Sequence, residues 1–145
     1  MRAVSEWRIA LASALLTLVA CTAVARAQQT DAQRMALLKA ELPPIIQQGE
    51  VAVVAAACGL RPAFYTGMSI GQQDGAAQAV IVNLWGVDPM SVTAGPAYRA
   101  MQWAYHTIDV LDGNAAHPTP EDCGRLATDP AALGEADRFV DWPPQ

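Results

Sequence analysis

Residues 30–60 read TDAQRMALLKAELPPIIQQGEVAVVAAACGL, and this stretch decides the fold class. Thr30 and Gln33 have the spacing of a capping box, in which two side chains pair with free backbone amides at a helix start. Because Pro43 and Pro44 lack amides, we expect them to kink or split the helix. Apolar and small residues recur at steps of three and four, which predicts a helix with one buried face: Met35, Leu38, Leu42, Ile45 or Ile46, Gly49, Val53 and Ala57.

The end of this helix carries one of the two cysteines on which the predicted architecture depends. Gly59 stands where a left-handed residue ends a helix, and Pro62 prevents continuation, so Cys58 falls in the last turn. Cys123 lies 65 positions further along, directly after the segment TPED at 119–122 and in the first turn of the helix that this segment begins. That segment supplies an N-cap, a proline at the first helical position and two acids near the positive end of the helix dipole.

Cys58 and Cys123 are predicted to form a disulfide. The third cysteine, Cys21, lies in an export pattern and is expected to be removed or lipidated, so Cys58 and Cys123 remain as an even pair. Export leads to compartments that oxidise thiols. The competing interpretations are a metal site or a catalytic thiol. Zinc sites usually contain a local Cys-x-x-Cys pair, whereas His106 and His117 are scattered relative to these cysteines. We therefore expect no metal site and no cofactor.

The remaining segments also favour helices. Residues 64–85 fit a helix, although AVIVNLW at 79–85 resembles a buried strand, and no convincing second strand is present to pair with it. Asp129 and Pro130 begin a short last helix. The clearest amphipathic helix ends at Gly113 and Asn114 and carries Tyr98, Met101, Tyr105, Ile108 and Leu111 or Asp112. The sequence predicts an all-α fold, a small bundle of four or five helices with one disulfide, in which the aromatic rings form core.

The first 27 residues predict export. Arg2 and Arg8 flank the start, and residues 9–20 are uncharged, which is the charged-then-apolar layout of a signal peptide. The apolar run is too short for a membrane span of about 20 residues. Small residues before Gln28 predict cleavage between Ala27 and Gln28. We therefore expect residues 1–27 to be a signal peptide and residues 28–145 to be a single small helical domain in the periplasm or outside the cell.

An alternative interpretation of the same segment is a lipoprotein. LVAC at residues 18–21 resembles the motif after which bacterial lipoproteins are cleaved and acylated on cysteine. Cys21 would then anchor the protein to the outer membrane. On either interpretation, contact with a membrane comes only from the signal peptide or from a lipid on Cys21.

The charge of the predicted mature chain excludes nucleic acid as a partner. Residues 28–145 contain six basic side chains against thirteen acidic ones, a formal charge of −7. Binding to nucleic acid requires lysine and arginine to neutralise phosphates. A domain with this charge would be repelled.

One short pattern suggests catalysis. GMSIG at residues 67–71 matches the Gly-x-Ser-x-Gly elbow of serine hydrolases, with Asp109 and His117 following in the order of that triad. The elbow needs a strand before it and a parallel sheet around it, which this short chain does not offer.

The glycines of this segment also form a ridge of small residues on the predicted helix, at Gly67, Gly71, Gly75 and Ala79. We expect this ridge to pack closely within the domain. A self-association face and a non-helical loop are the alternatives.

The two histidines carry no diagnostic spacing. His106 stands three residues from Asp109 on the clearest helix, and we expect it at the edge of the apolar stripe, while His117 lies in a loop and is expected in solvent. The sequence therefore predicts a non-catalytic exported protein with a binding or structural role, serving a protein partner or a small ligand. The alternatives are a lipoprotein acylated at Cys21 and a hydrolase that uses Ser69.

Overall fold

The computed structural model describes residues 28–141, and every regular element among them is helical. The elements are α1 (Asp31–Ala57), α2 (Phe64–Trp85), a short 3-10 helix (Pro89–Ser91), α3 (Pro96–Ala115), α4 (Pro120–Ala127) and α5 (Pro130–Val140). The predicted all-α class is confirmed for this part of the chain, and residues 79–85 belong to α2 rather than to a strand. None of these helices combines the length and the apolar character needed to cross a membrane.

The predicted signal peptide lies outside the described residues. It covers residues 1–27, so cleavage after Ala27 and the alternative acylation of Cys21 stay predictions. The chain divides into one unit that ends at Arg34 and another that begins at Met35.

The described part of the first unit contains the predicted capping box. The Thr30 amide donates to Gln33 Oε1 at 2.8 Å, and the Gln33 amide donates to Thr30 Oγ1 at 3.2 Å. These two bonds satisfy amides that a helix start otherwise leaves free. The features described below all lie in the second unit.

Helix α1 runs without interruption through Pro43 and Pro44, so the predicted split is absent. Each proline leaves the carbonyl four residues earlier, on Lys39 or Ala40, without its helical donor. Lys39 and Ala40 are exposed, so water can hydrate those carbonyls. Leu42, beside the prolines, is fully buried and keeps this part of the helix packed on the core.

The predicted starts of α4 and α5 are confirmed. Thr119 Oγ1 accepts a hydrogen bond from the Asp122 amide at 3.1 Å, and Asp122 Oδ2 accepts one from the Thr119 amide at 3.1 Å. Asp129 Oδ1 accepts from the Ala132 amide at 3.0 Å. Both helices are therefore fixed at their first turns by side chains.

The predicted helix ends are confirmed only in part. Gly59 follows α1 in the left-handed region with φ of 70°, as predicted. Helix α3, by contrast, continues past Gly113 and Asn114 to Ala115. Its last turn stays helical because Asp112, one residue before the glycine, is buried and bonded to α2.

The main core lies between α1, α2 and α3 and consists of aliphatic and small side chains: Leu38, Leu42, Ile46, Ala77, Ile81, Ala97, Ala100, Met101, Ala104 and Ile108. Trp85, Trp103 and Tyr105 pack against this core but are only partly buried. Most aromatic rings thus lie at the edge of the core rather than forming it. A smaller cluster joins α1, α2 and α5 through Ala52, Tyr65, Ala136 and Val140.

An ion pair fixes α5 to the turn before α2. Arg61 donates from Nε and Nη2 to the two carboxylate oxygens of Asp137, at 2.7 and 2.8 Å. The hydroxyl of Tyr65 donates to Asp137 Oδ1 at 2.9 Å. The hydrogen bonds from Arg61 are the main reason that the pKa of Asp137 lies below its usual range. The bidentate geometry gives this contact a defined orientation.

The glycine ridge of α2 faces outward. Gly67, Gly71, Gly75 and Ala79 are all exposed, and a Cβ added at any of the three glycines would meet no heavy atom within 4 Å. The expectation that this ridge packs closely within the domain is therefore wrong. The ridge is helical, which also excludes the loop interpretation.

Candidate ligand-binding groove

A groove of about 380 Å³ opens between α1 and the segments from the end of α3 to the start of α5. We call it the disulfide groove, because the Cys58–Cys123 bond joins α4 to the end of α1, and both helices line it. Pockets that bind small molecules have volumes of about 300 to 1,000 Å³. Its lining includes Glu50, Val51, Val54, His117, Arg125 and Leu126.

The predicted disulfide is present. The Cα atoms of Cys58 and Cys123 are 5.4 Å apart, and their sulfur atoms are bonded. Val54 lies about one turn before Cys58, and Asp122 is the neighbour of Cys123, so the bond fixes the distance between two walls of the disulfide groove.

The charged groups that α4 contributes to the disulfide groove are paired with each other. Asp122 Oδ2 accepts hydrogen bonds from the hydroxyl and the amide of Thr119, and Arg125 donates to Asp122 Oδ1 at 2.6 Å. These donors, the Thr119 hydroxyl first, hold the pKa of Asp122 below its usual range. Arg125 therefore offers a ligand little uncompensated positive charge.

Glu50 is the lining acid whose carboxylate is not engaged. Within residues 28–141, no cation lies in ion-pair range of Glu50, and its side chain accepts no hydrogen bond. The residue is half-buried, and burial raises its pKa, with the nearby charge of Asp112 raising it further. A partly buried anion without a partner is unfavourable, so a donor or cation that reached Glu50 would be stabilising.

A chain of buried polar groups crosses the core beside the disulfide groove. Ser69 Oγ donates to the carbonyl of Gly49 at 2.8 Å, and Gln73 Nε2 donates to Ser69 Oγ at 3.1 Å. The same nitrogen donates to Asp112 Oδ2 at 2.9 Å. These bonds connect α1, α2 and α3, and all three side chains are almost completely buried.

Gly49 makes this arrangement sterically possible. A Cβ added to Gly49 would lie 2.2 Å from Gln73 Nε2 and 2.5 Å from Gln73 Cδ, both far inside contact distance. The amide of Gln73 occupies the space that any other side chain would need. Gly49 fits the apolar stripe of α1 in the sequence, but its lack of a side chain is what lets the amide of Gln73 pack against α1.

The polar chain is not fully satisfied. Gln73 Oε1 and Asp112 Oδ1 are buried without a hydrogen-bond partner among the described residues. Burial raises the pKa of Asp112, the bond from Gln73 opposes this shift, and the charges of Asp74 and Asp109 add to it. A proton on Asp112 would remove a buried charge and supply a donor to a region that has only acceptors left.

Replacing Asp112 by asparagine is expected to raise the free energy of unfolding at pH 7 by about 1 to 2 kcal/mol, because a buried charge with an unsatisfied oxygen is replaced by a neutral amide. Folding raises the pKa of the Asp112 carboxyl above its ordinary value of 3.8, so the protonated group stabilises the fold below pH 3.8. This stabilisation is lost as the pH rises through the pKa of the folded state. The gain of Asp112→Asn should therefore shrink toward pH 4.

Urea unfolding at the two pH values measures this gain. Glu135→Gln is the control, because Glu135 is an exposed acid and is not among the charges that raise the pKa of Asp112. If Asp112→Asn changes the free energy of unfolding by the same amount at both pH values, the charge of Asp112 does not destabilise the fold.

Within residues 28–141, no hydrogen bond links Ser69, Asp109 and His117, the three groups of the alternative hydrolase interpretation. Ser69 lies in the interior of α2, fully buried, with its hydroxyl donated to a carbonyl, and no strand precedes it within the described residues. Asp109 and His117 are exposed, as is His106. The pattern GMSIG therefore marks a helix segment, and its serine belongs to the polar chain of the core.

A second groove lies on another side of α1 and α2. It measures about 530 Å³ and is lined by Gln48, Gln72, Ala76, Glu135, Arg138 and Phe139. Gln48, Gln72, Glu135 and Arg138 are all exposed, so polar surface side chains form most of its lining. The disulfide groove is the better candidate because a covalent bond holds two of its walls.

The disulfide groove has no short sequence motif, since its lining is drawn from segments spread over 86 positions, Gln47 to Ala132. Sequence reasoning found Cys58 and Cys123 but not Glu50, which shows only as one acid in a helix. Among residues 28–141, no three side chains of His, Cys, Asp or Glu are arranged to hold a metal ion. Comparison of the chain with protein-family models, curated proteins and solved structures finds no match.

Proposed function

We propose that this chain is an exported, non-catalytic protein that binds a small ligand in the disulfide groove. The observation that carries the proposal is the composition of the groove. Val51, Val54 and Leu126 give it apolar surface, and Glu50 and His117 supply polar groups beside that surface. Small-molecule sites typically combine an apolar lining with a few polar groups that orient the ligand.

The fixed geometry of the groove supports this proposal. The disulfide holds the α4 wall against the end of α1, and the hydrogen bond that Asp129 accepts from the Ala132 amide fixes the start of α5. A site that is already ordered loses less conformational freedom when a ligand binds, so more of the contact energy appears as affinity.

The proposed location is the periplasm or the outside of the cell. Support comes from the pattern of residues 1–27 and from the disulfide, because disulfides persist mainly in oxidising compartments. The alternative is a lipoprotein acylated at Cys21. The intact mass of the exported protein distinguishes the two, since one begins at an unmodified Gln28 and the other at a diacylated Cys21.

Screening of small fragments by amide correlation spectra of the nitrogen-labelled mature chain tests the proposed function. Fragments that bind are expected to shift the amide signals of Val51, Val54 and Leu126, because these residues line the disulfide groove. The substitution Ala132→Phe, which places a ring in the groove, should abolish the shifts.

Ala76→Phe is the matched control, because Ala76 is another half-buried helical alanine but lines the second groove. It should leave fragment binding unchanged. Shifts that gather on Gln48, Gln72 and Phe139 and survive Ala132→Phe would refute the assignment of the binding site.

A further inference from the structure

We infer that the disulfide groove takes a small organic cation, in which an ammonium or guanidinium group pairs with Glu50 and an apolar body lies on the valine and leucine side chains of the groove. This inference rests on the proposed function and adds the chemical class of the ligand. It follows from the charges that line the groove, from their existing partners and from the apolar surface beside them.

The charge balance of the groove favours a cation. Three acids line it, Glu50, Asp122 and Asp129, against Arg125 and a histidine. Arg125 is paired with Asp122, so its charge is compensated within α4. Glu50 and Asp129 would repel an anionic ligand, and the arginine of the lining is already paired.

Glu50 is the group best placed to hold the cation. Asp122 is occupied by Thr119 and Arg125, and Asp129 Oδ1 caps α5, whereas the carboxylate of Glu50 is half-buried and has no partner among the described residues. A charged pair that is partly removed from water is stronger than the same pair on the surface. The negative charge of Asp112 behind Glu50 adds to the attraction for a cation.

The apolar part of the ligand follows from the neighbours of Glu50. Val51 directly follows it in α1, Val54 lies about one turn away, and Leu126 faces them from α4. Burial of apolar ligand surface on these side chains adds to the affinity. A bare metal or ammonium ion would leave this surface unused, so the groove fits a cation that carries a hydrocarbon or aromatic body.

Titration with three probes of one shape tests the inference: phenethylamine, which is a cation, phenethyl alcohol, which is neutral, and phenylacetate, which is an anion. The readout is the dissociation constant from amide shifts in the disulfide groove. We expect the amine to bind about tenfold more tightly than the alcohol, the size of one charge-assisted hydrogen bond. Phenylacetate should bind weakest, and added salt should weaken only the binding of the amine.

The variant Glu50→Gln keeps the shape of the side chain and removes its charge. It should bring the amine to within about twofold of the alcohol, while Glu135→Gln, which removes a charge from the second groove, should leave the preference intact. Thermal melting of each variant verifies that it is folded.

Equal affinity for amine and alcohol in the wild-type chain would overturn the inference, and so would an amine preference that survives Glu50→Gln. In both cases the groove still binds, so the proposed function stands. Absence of shifts with all three probes also overturns the cation assignment, and the fragment screen then decides the proposed function separately.

Discussion

Replacing Cys58 and Cys123 together by serine is expected to lower the free energy of unfolding by about 4 kcal/mol. The bond closes a loop with a sequence separation of 65 residues, and in the entropic model a loop of this length restricts the unfolded chain by that amount. Domains of this size are stable by only about 5 to 15 kcal/mol, so the loss is a large part of the total. Urea unfolding followed by circular dichroism measures it.

The control for this prediction is the wild-type chain after reduction, which lacks the bond but carries no substitution. Reduced wild type and the double serine variant should unfold at the same urea concentration, and both should lose the fragment shifts in the disulfide groove. Unchanged stability in both would mean that the unfolded chain is not restricted by the bond. Retained fragment binding would mean that the groove keeps its shape without it.

The substitution Gly49→Ala is expected to destabilise the fold by about 2 to 3 kcal/mol. The added methyl group would lie 2.2 Å from Gln73 Nε2, so the amide must move and give up its bonds to Ser69 and Asp112. Overpacking of a core and loss of buried hydrogen bonds each cost about 1 to 3 kcal/mol. The better helix propensity of alanine, about 1 kcal/mol, offsets part of the cost.

Gly71→Ala is the matched control for Gly49→Ala. Gly71 is also a helical glycine, but it is exposed and its Cβ would meet no atom within 4 Å. Only the propensity gain remains there, so this variant should be more stable by about 0.5 to 1 kcal/mol. If the two variants shift the urea midpoint in the same direction, the close contact between Gly49 and Gln73 does not decide the effect.

Sequence reasoning predicted those features of the fold that depend on local chemistry. The capping box at Thr30, the N-cap at Thr119 and the left-handed Gly59 all follow from interactions within a few residues, and the structure contains each of them. The disulfide also followed, because two thiols in a chain with an export pattern have one pairing open to them. Continuation of α1 through Pro43 was missed, since it depends on burial of Leu42 and on exposure of the carbonyls behind the prolines.

The candidate site was hidden from the sequence for a related reason. Sequence periodicity shows which residues share a helix face, but not which element packs against that face. Gly67 and Gly71 were therefore expected to pack within the domain, whereas they face solvent. Gly49, in the buried stripe, is the glycine that carries the close contact. Asp112 fitted the apolar side of α3 by spacing, and its hydrogen bond to Gln73 depends on a helix 39 positions away.

On the proposed function, the bond between Cys58 and Cys123 makes ligand binding in the disulfide groove and the redox state of the two thiols mutually dependent. A ligand that binds the oxidised form tenfold more tightly than the reduced form shifts the dithiol equilibrium by the same factor. For a two-electron couple that factor lowers the reduction potential by about 30 mV. The loaded protein would thus keep its sulfur bridge at glutathione concentrations that open the empty one.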